Sequence, residues 1–177
     1  MAHYLADKGL GFQDHYSIFM ENNNRYLESC AAGERSGLYF TCINSFLTSD
    51  ELAYIINNSE SQILITSMSK LEAAQEALAQ CTAIKEVLVV GAGDADLPEG
   101  MSDFASTLSK YPETPLEREL LGAAMLYSSG TTGRPKGIVR PLPEQSPNEP
   151  LPVIGFLSGL WRYSCLLYTS DAADDIP

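Results

Sequence analysis

The sequence predicts an α/β fold, a largely parallel sheet with flanking helices. Three observations predict it. Short runs rich in β-branched and aromatic residues recur at similar spacing as far as Val90. Segments with helical spacing and capping signals fill the gaps between them. No residue signature repeats with that pitch, so the alternation is one of strand–helix units and not of a solenoid.

The elements follow in chain order. Strands are expected at 15–20 (HYSIFM), 38–43 (LYFTCI), 62–66 (QILIT) and 86–90 (EVLVV), each bounded by turn residues. A helix is expected at 24–35, where apolar and small residues keep helical spacing until Gly37 stops it. The next, at 48–58, opens on Thr48 with Glu51 three residues later, a capping-box signature, and Asp50 and Glu51 suit the positive helix start. The third, at 69–80, is built largely from strong helix formers. Beyond Val90 the composition turns to loop. Gly91-x-Gly93 follows a strand, but the third glycine of a dinucleotide fingerprint would fall at Asp96, so the loop reading wins. A short helix is expected at 101–110 and a strand at 123–127. A proline-rich extended connector follows at 141–152, and a helix is expected to begin at 153–161.

Length and charge narrow the function. The chain has 177 residues, 45% of them apolar, enough for one domain or one lobe of a larger one. Its net charge of −12 repels a nucleic-acid backbone and an anionic membrane alike. A small anion remains possible, because a local loop can hold one against the overall sign. No apolar stretch is long enough for a transmembrane segment, and the start, MAHYLADKGL, lacks the pattern of a signal peptide. A cytoplasmic location is expected. Cys30, Cys42, Cys81 and Cys165 form no C-x-x-C pair and lie far in sequence from His3 and His15, so no metal site is expected. The cysteines read as small buried apolar side chains, and His15 as structural.

The chemistry concentrates in 127–137, YSSGTTGRPKG. A phosphate needs several donors converging on one small volume, and backbone N–H groups are the densest source. Gly130 and Gly133 permit the positive φ that aims such groups inward, and Gly137 frees the exit. Ser128, Ser129, Thr131 and Thr132 add hydroxyls, and Lys136 adds a mobile cation. Pro135 stiffens the approach to Lys136 and biases Arg134 toward extended backbone. The spacing is not that of a Walker A loop, since two residues separate Gly130 from Gly133 and Lys136 follows three residues later. By its residues alone the stretch reads equally as a phosphate loop or as a polar turn.

The string MLYSSGTTGRPKG resembles the phosphate-loop signature of the adenylate-forming (AMP-binding) enzymes. The match runs through Tyr127, Ser128, Ser129, Gly130, Thr131, Thr132, Gly133, Pro135, Lys136 and Gly137. Residues 35–67, RSGLYFTCINSFLTSDELAYIINNSESQILITS, are similar to the acyl-CoA synthetase branch, and so is PLPEQSPNEP after the loop. The resemblance covers about 5–163. It implies a partial N-terminal domain of such an enzyme, which joins a carboxylic acid to coenzyme A through an acyl-adenylate, using ATP and Mg2+. The favoured acid is a fatty acid. Ser128, Ser129, Gly130, Thr131, Thr132, Gly133 and Lys136 would contact the β- and γ-phosphates, while Tyr127 would end the strand and pack. No catalytic or metal-ligating residue is assigned.

The resemblance also implies missing parts. The aromatic-Gly-x-Thr-Glu segment, the Thr-Gly-Asp segment and the lysine-bearing C-terminal lid are absent, and the start looks clipped. Residues 164–177, with the string CLLYTSDAADDIP, resemble translated sequencing-adapter DNA and are expected to be a non-native tail on a partial domain at 1–163. The chain alone is therefore expected to be inactive. The alternatives are a fragment of an aryl-acid or amino-acid adenylating enzyme, and a non-catalytic nucleotide-binding module.

Overall fold

The computed structural model describes residues 1–128, 134–149 and 152–160. Six parallel strands form its main sheet, in the order β5-β4-β3-β1-β2-β6. These are β1 (His15–Phe19), β2 (Tyr39–Cys42), β3 (Ile63–Ser67), β4 (Glu86–Val90), β5 (Met101–Asp103) and β6 (Ala123–Ala124). A separate antiparallel pair, β7 (Leu126–Ser128) and β8 (Lys136–Ile138), follows. The helices are α1 (Ala2–Asp7), α2 (Asn24–Glu34), α3 (Ser49–Asn58), α4 (Leu71–Leu78) and α5 (Phe104–Leu108). They belong to one unit, Met1–Pro147; α6 (Pro152–Leu160) lies in a second, from Asn148 onward.

Strand pleating divides the core in two. On β1, Tyr16 and Ile18 join one apolar cluster and Phe19 the other. On β3, Ile63 and Ile65 take the first face and Leu64 the second; on β4, Leu88 opposes Val87 and Val89. The first cluster includes Tyr4 and Leu5 of α1, Ala32 of α2 and Phe104 of α5. The second holds Leu52, Ala53, Ile55 and Ile56 of α3 with Ala74 and Ala77 of α4. A sheet covered on both faces needs strands apolar at nearly every position, which is why QILIT and EVLVV do not alternate.

Several boundaries depart from the sequence reading. Residues 101–103 are strand and not helix, because Met101, Ser102 and Asp103 pair with Val87, Leu88 and Val89. Asp103 then caps α5 by accepting a hydrogen bond from the Ser106 amide at 2.7 Å. The expected helix at 69–80 begins as a 3-10 turn, Met68–Lys70, before α4. The strand expected at 123–127 is two strands. Ala123 and Ala124 pair with Tyr39 and Phe40, and the chain then leaves the sheet to start the hairpin. Helix α1 has no side-chain cap, and it forms because Tyr4 and Leu5 are buried. The loop reading of Gly91 and Gly93 holds: both have positive φ, 79° and 56°.

Gly122 sits where two backbones nearly touch. A Cβ there would lie 2.1 Å from the Gly33 carbonyl oxygen and 2.5 Å from that of Leu38. This closeness lets β6 dock beside β2 directly before the hairpin.

Candidate functional site

The hairpin is built on α3. The predicted capping box forms: Thr48 Oγ1 accepts from the Glu51 amide at 3.4 Å, and the Thr48 amide donates to Glu51 Oε2 at 2.9 Å. The Thr48 amide and the Thr48 hydroxyl both donate to Glu51 Oε2 and hold its carboxyl below its ordinary range. One stripe of α3 then meets the hairpin, since residues four apart share a helix face. Tyr54 donates its hydroxyl to the Pro135 carbonyl at 3.0 Å. The Arg134 guanidinium lies over the Tyr54 ring, 5.0 Å from its centre. Tyr127 donates its hydroxyl to Asn58 Oδ1 at 2.7 Å. Burial, with Tyr54 nearby, pushes the Tyr127 hydroxyl up to about 12, so it stays a donor.

The two strands bring the ends of the motif together. Ser128 pairs with Lys136 and Tyr127 with Gly137, so a hydroxyl and an ammonium stand directly opposite and exposed. Ser129, Gly130, Thr131, Thr132 and Gly133 lie outside the described residues. Of the seven predicted phosphate-contacting residues the structure therefore places two, Ser128 and Lys136, on adjoining strands. Tyr127 packs, as expected, against the second apolar cluster. Gly137 has a steric reason to be glycine: a Cβ would meet the Met125 methyl at 2.4 Å and the Tyr127 ring at 3.0 Å. Beside the hairpin, Asp50, Glu51, Tyr54, Arg134 and Pro135 line a cavity of about 320 Å³.

Sequence reasoning missed Tyr54 and Asn58. Their four-residue spacing on a well-capped helix was visible, but their partners lie far away in sequence. It also missed Glu21, which accepts hydrogen bonds from the Ser67 and Ser69 hydroxyls at 2.6 and 2.7 Å. These hydroxyls hold its carboxyl below the ordinary range. Glu21 follows β1, and Ser67 ends the neighbouring β3. The chain steps from β1 to β2 on one side and to β3 on the other, so this is the switch point of the sheet. A larger cavity, about 440 Å³, opens at the carboxyl ends of β1 and β2 and not at the hairpin; Glu21, Tyr26, Cys42, Asn44 and Phe46 are in its wall.

Two other expectations meet the structure here. Cys42 is exposed and Cys30 is half-buried, which corrects the reading of the cysteines as buried apolar side chains. Cys42 ends β2, where the sheet opens into the cavity, and the Cys30 and Cys42 sulfurs are 3.7 Å apart. His15 stacks on Tyr39 at 4.7 Å between ring centres, and burial lowers its affinity for a proton. Among the described residues no three Asp, Glu, His or Cys side chains gather as a metal site.

Comparison with known proteins gives this geometry a family. The chain is 29% identical over 145 residues to the 3-methylmercaptopropionyl-CoA ligase of Ruegeria lacuscaerulensis, covering 78% of this chain and 27% of that protein. It is 28% identical over 135 residues to the long-chain-fatty-acid–CoA ligase of Thermus thermophilus, covering 76% of this chain and 24% of the relative. The chain thus spans about a quarter of the length of the curated relatives it matches. The fold is that of the anthranilate CoA ligase AuaEII, solved with anthranoyl-AMP, at a TM-score of 0.68 and 22% identity over 77% of this chain and 26% of that one. The AMP-binding enzyme family matches residues 1–142, which takes in the sheet, α3 and both hairpin strands, and this chain belongs to that family.

Proposed function

We propose that the chain is part of an acyl-CoA synthetase. The whole enzyme activates a carboxylic acid with ATP, forming an acyl-adenylate and pyrophosphate, and then transfers the acyl group to coenzyme A. The observation that carries this reading is the hairpin with Ser128 opposite Lys136, held on α3 by Tyr54 and Tyr127, in a chain of the AMP-binding family.

A hydroxyl donor and an ammonium on adjoining strands suit an anionic polyphosphate. Ser128 and Lys136 would hold the β- and γ-phosphates together with Ser129, Gly130, Thr131, Thr132 and Gly133. Their part is positioning and charge stabilisation as pyrophosphate departs. Mg2+ would come with the ATP. A fatty acid is the favoured acid, in line with the long-chain-fatty-acid–CoA ligase among the relatives. The proposed setting is cytoplasmic and free of nucleic acid. No described helix is long and apolar enough to cross a membrane.

The test has two arms. The full-length protein from the source locus is expected to form CoA thioesters from fatty acids, read by mass spectrometry; no thioester from any fatty, aryl or amino acid overturns the proposal. The 177-residue chain alone is expected to show no carboxylate-dependent exchange of pyrophosphate into ATP.

A further inference from the structure

We propose that Cys30 and Cys42 form a redox-active dithiol, a modification site for hydroperoxide oxidants at the cavity on the carboxyl end of the sheet. Cys30 is on α2 and Cys42 ends β2, and these two elements pack on each other. Their sulfurs are 3.7 Å apart, so closing to a disulfide at about 2.0 Å needs a movement of side-chain size. Cys42 is exposed and lines the cavity of about 440 Å³, so a small oxidant can reach it there. Cys30 is half-buried beside it.

The surroundings give the two thiols different roles. A hydrogen bond from Cys30, helped by one from Tyr26, holds the Cys42 thiol down to about 7. The same contact pushes the Cys30 thiol up. Glu34 opposes the Cys42 thiolate, and Glu21 shares the cavity wall. Cys42, exposed in the cavity wall, is the nucleophile, and Cys30, half-buried behind it, the resolving thiol. Cys81 contrasts with both: burial pushes its thiol up, and its sulfur lies 3.3 Å from the Ala77 carbonyl.

The chemistry balances with a hydroperoxide such as hydrogen peroxide. The Cys42 thiolate attacks one peroxide oxygen, the O–O bond breaks, and hydroxide leaves, giving a sulfenic acid. Cys30 sulfur then attacks the Cys42 sulfur. The S–S bond forms, the S–O bond breaks, and the Cys30 proton leaves with the oxygen as water. Two thiols lose two electrons and two protons, and the peroxide becomes two waters.

The test treats the native chain with equimolar hydrogen peroxide, alkylates the remaining thiols and maps the peptides by mass spectrometry. The expected product is a Cys30–Cys42 cross-linked peptide that dithiothreitol reverses, with Cys81 still alkylated. Unfolding in urea before oxidation is expected to abolish that selectivity. The cross-linking rate is expected to rise about tenfold per pH unit below 7 and then level off, because only the thiolate attacks. The variant C30S is expected to stop at a Cys42 sulfenic acid that dimedone captures; if it does not fold, the wild-type map decides. Cys30 and Cys42 alkylated as fully as Cys81 after oxidation, or cross-linking that is equal in urea, overturns the proposal.

Discussion

The sheet body and the hairpin are held by different forces. Ile18, Leu64, Ile65 and Leu88 are fully buried, and both faces of β1, β3 and β4 are covered. In the hairpin Leu126 and Ile138 are exposed, 55% and 50%. Tyr127 alone of its three large apolar side chains packs against the apolar clusters, and the other anchors are the directional contacts of Tyr127 with Asn58, Tyr54 with Pro135 and Arg134 with Tyr54. Further along the chain the Tyr39 hydroxyl donates to the Arg140 carbonyl at 2.5 Å. Apolar burial is non-directional and summed over large areas, so it makes a rigid platform. A few hydrogen bonds at the surface orient a loop while contributing little to global stability. The proposed phosphate site would need that division, with donors accessible on an element whose base is fixed.

Four substitutions separate the two regions, from the largest effect to the smallest. Ile65→Ala is expected to destabilise the chain by about 2–5 kcal/mol, because it opens a cavity in a filled core. Urea unfolding measures it, and a loss under about 1 kcal/mol would mean that the body is not packed as described. Lys136→Ala is expected to leave the urea midpoint unchanged, since the side chain is exposed. In the full-length protein it should lower kcat/KM by about 10- to 100-fold, the scale of one charge-assisted hydrogen bond. An unaltered kcat/KM would remove Lys136 from the proposed phosphate-contacting set, and a lowered urea midpoint would show that its side chain helps hold the fold.

Thr48→Ala is expected to cost about 1 kcal/mol by deleting the cap of α3. Hydrogen exchange should show faster exchange at the start of α3, with β1 and β3 unaffected. Tyr127→Phe is the smallest, about 0.5–1 kcal/mol, since it removes one hydrogen bond and keeps the ring. Its effect should appear as faster exchange of the Lys136–Ile138 amides and not in the main sheet. If Tyr127→Phe shifted the whole transition as far as Ile65→Ala does, the hairpin would be part of the core and the contrast would fail.

Legibility in the sequence follows the same division. Residues 86–90 and the capping box of α3 were readable because their signals are local: a run of β-branched residues, and a Thr–Glu pair three apart. The motif from Tyr127 to Gly137 was also readable, as a string. The strand at 101–103 was not, because a three-residue element exists only through its pairing with β4. Helix α1 was hidden for a similar reason, having no cap and only two buried side chains. Cys30 and Cys42 looked unrelated because nothing in their twelve-residue separation says that α2 packs on β2.

By itself the sequence determined the alternation of strands and helices, the apolar faces and the chemical content of the loop. Each depends on residue type and short-range spacing. Tertiary structure decided the rest. It set the strand order, split 123–127 between two sheets, placed Ser128 across from Lys136, and set Tyr54 and Asn58 under the hairpin. The physical reason is range. A propensity or a cap acts within one helical turn, whereas a strand pairing or a tyrosine anchor joins residues far apart, and those contacts form only once burial has brought the elements together.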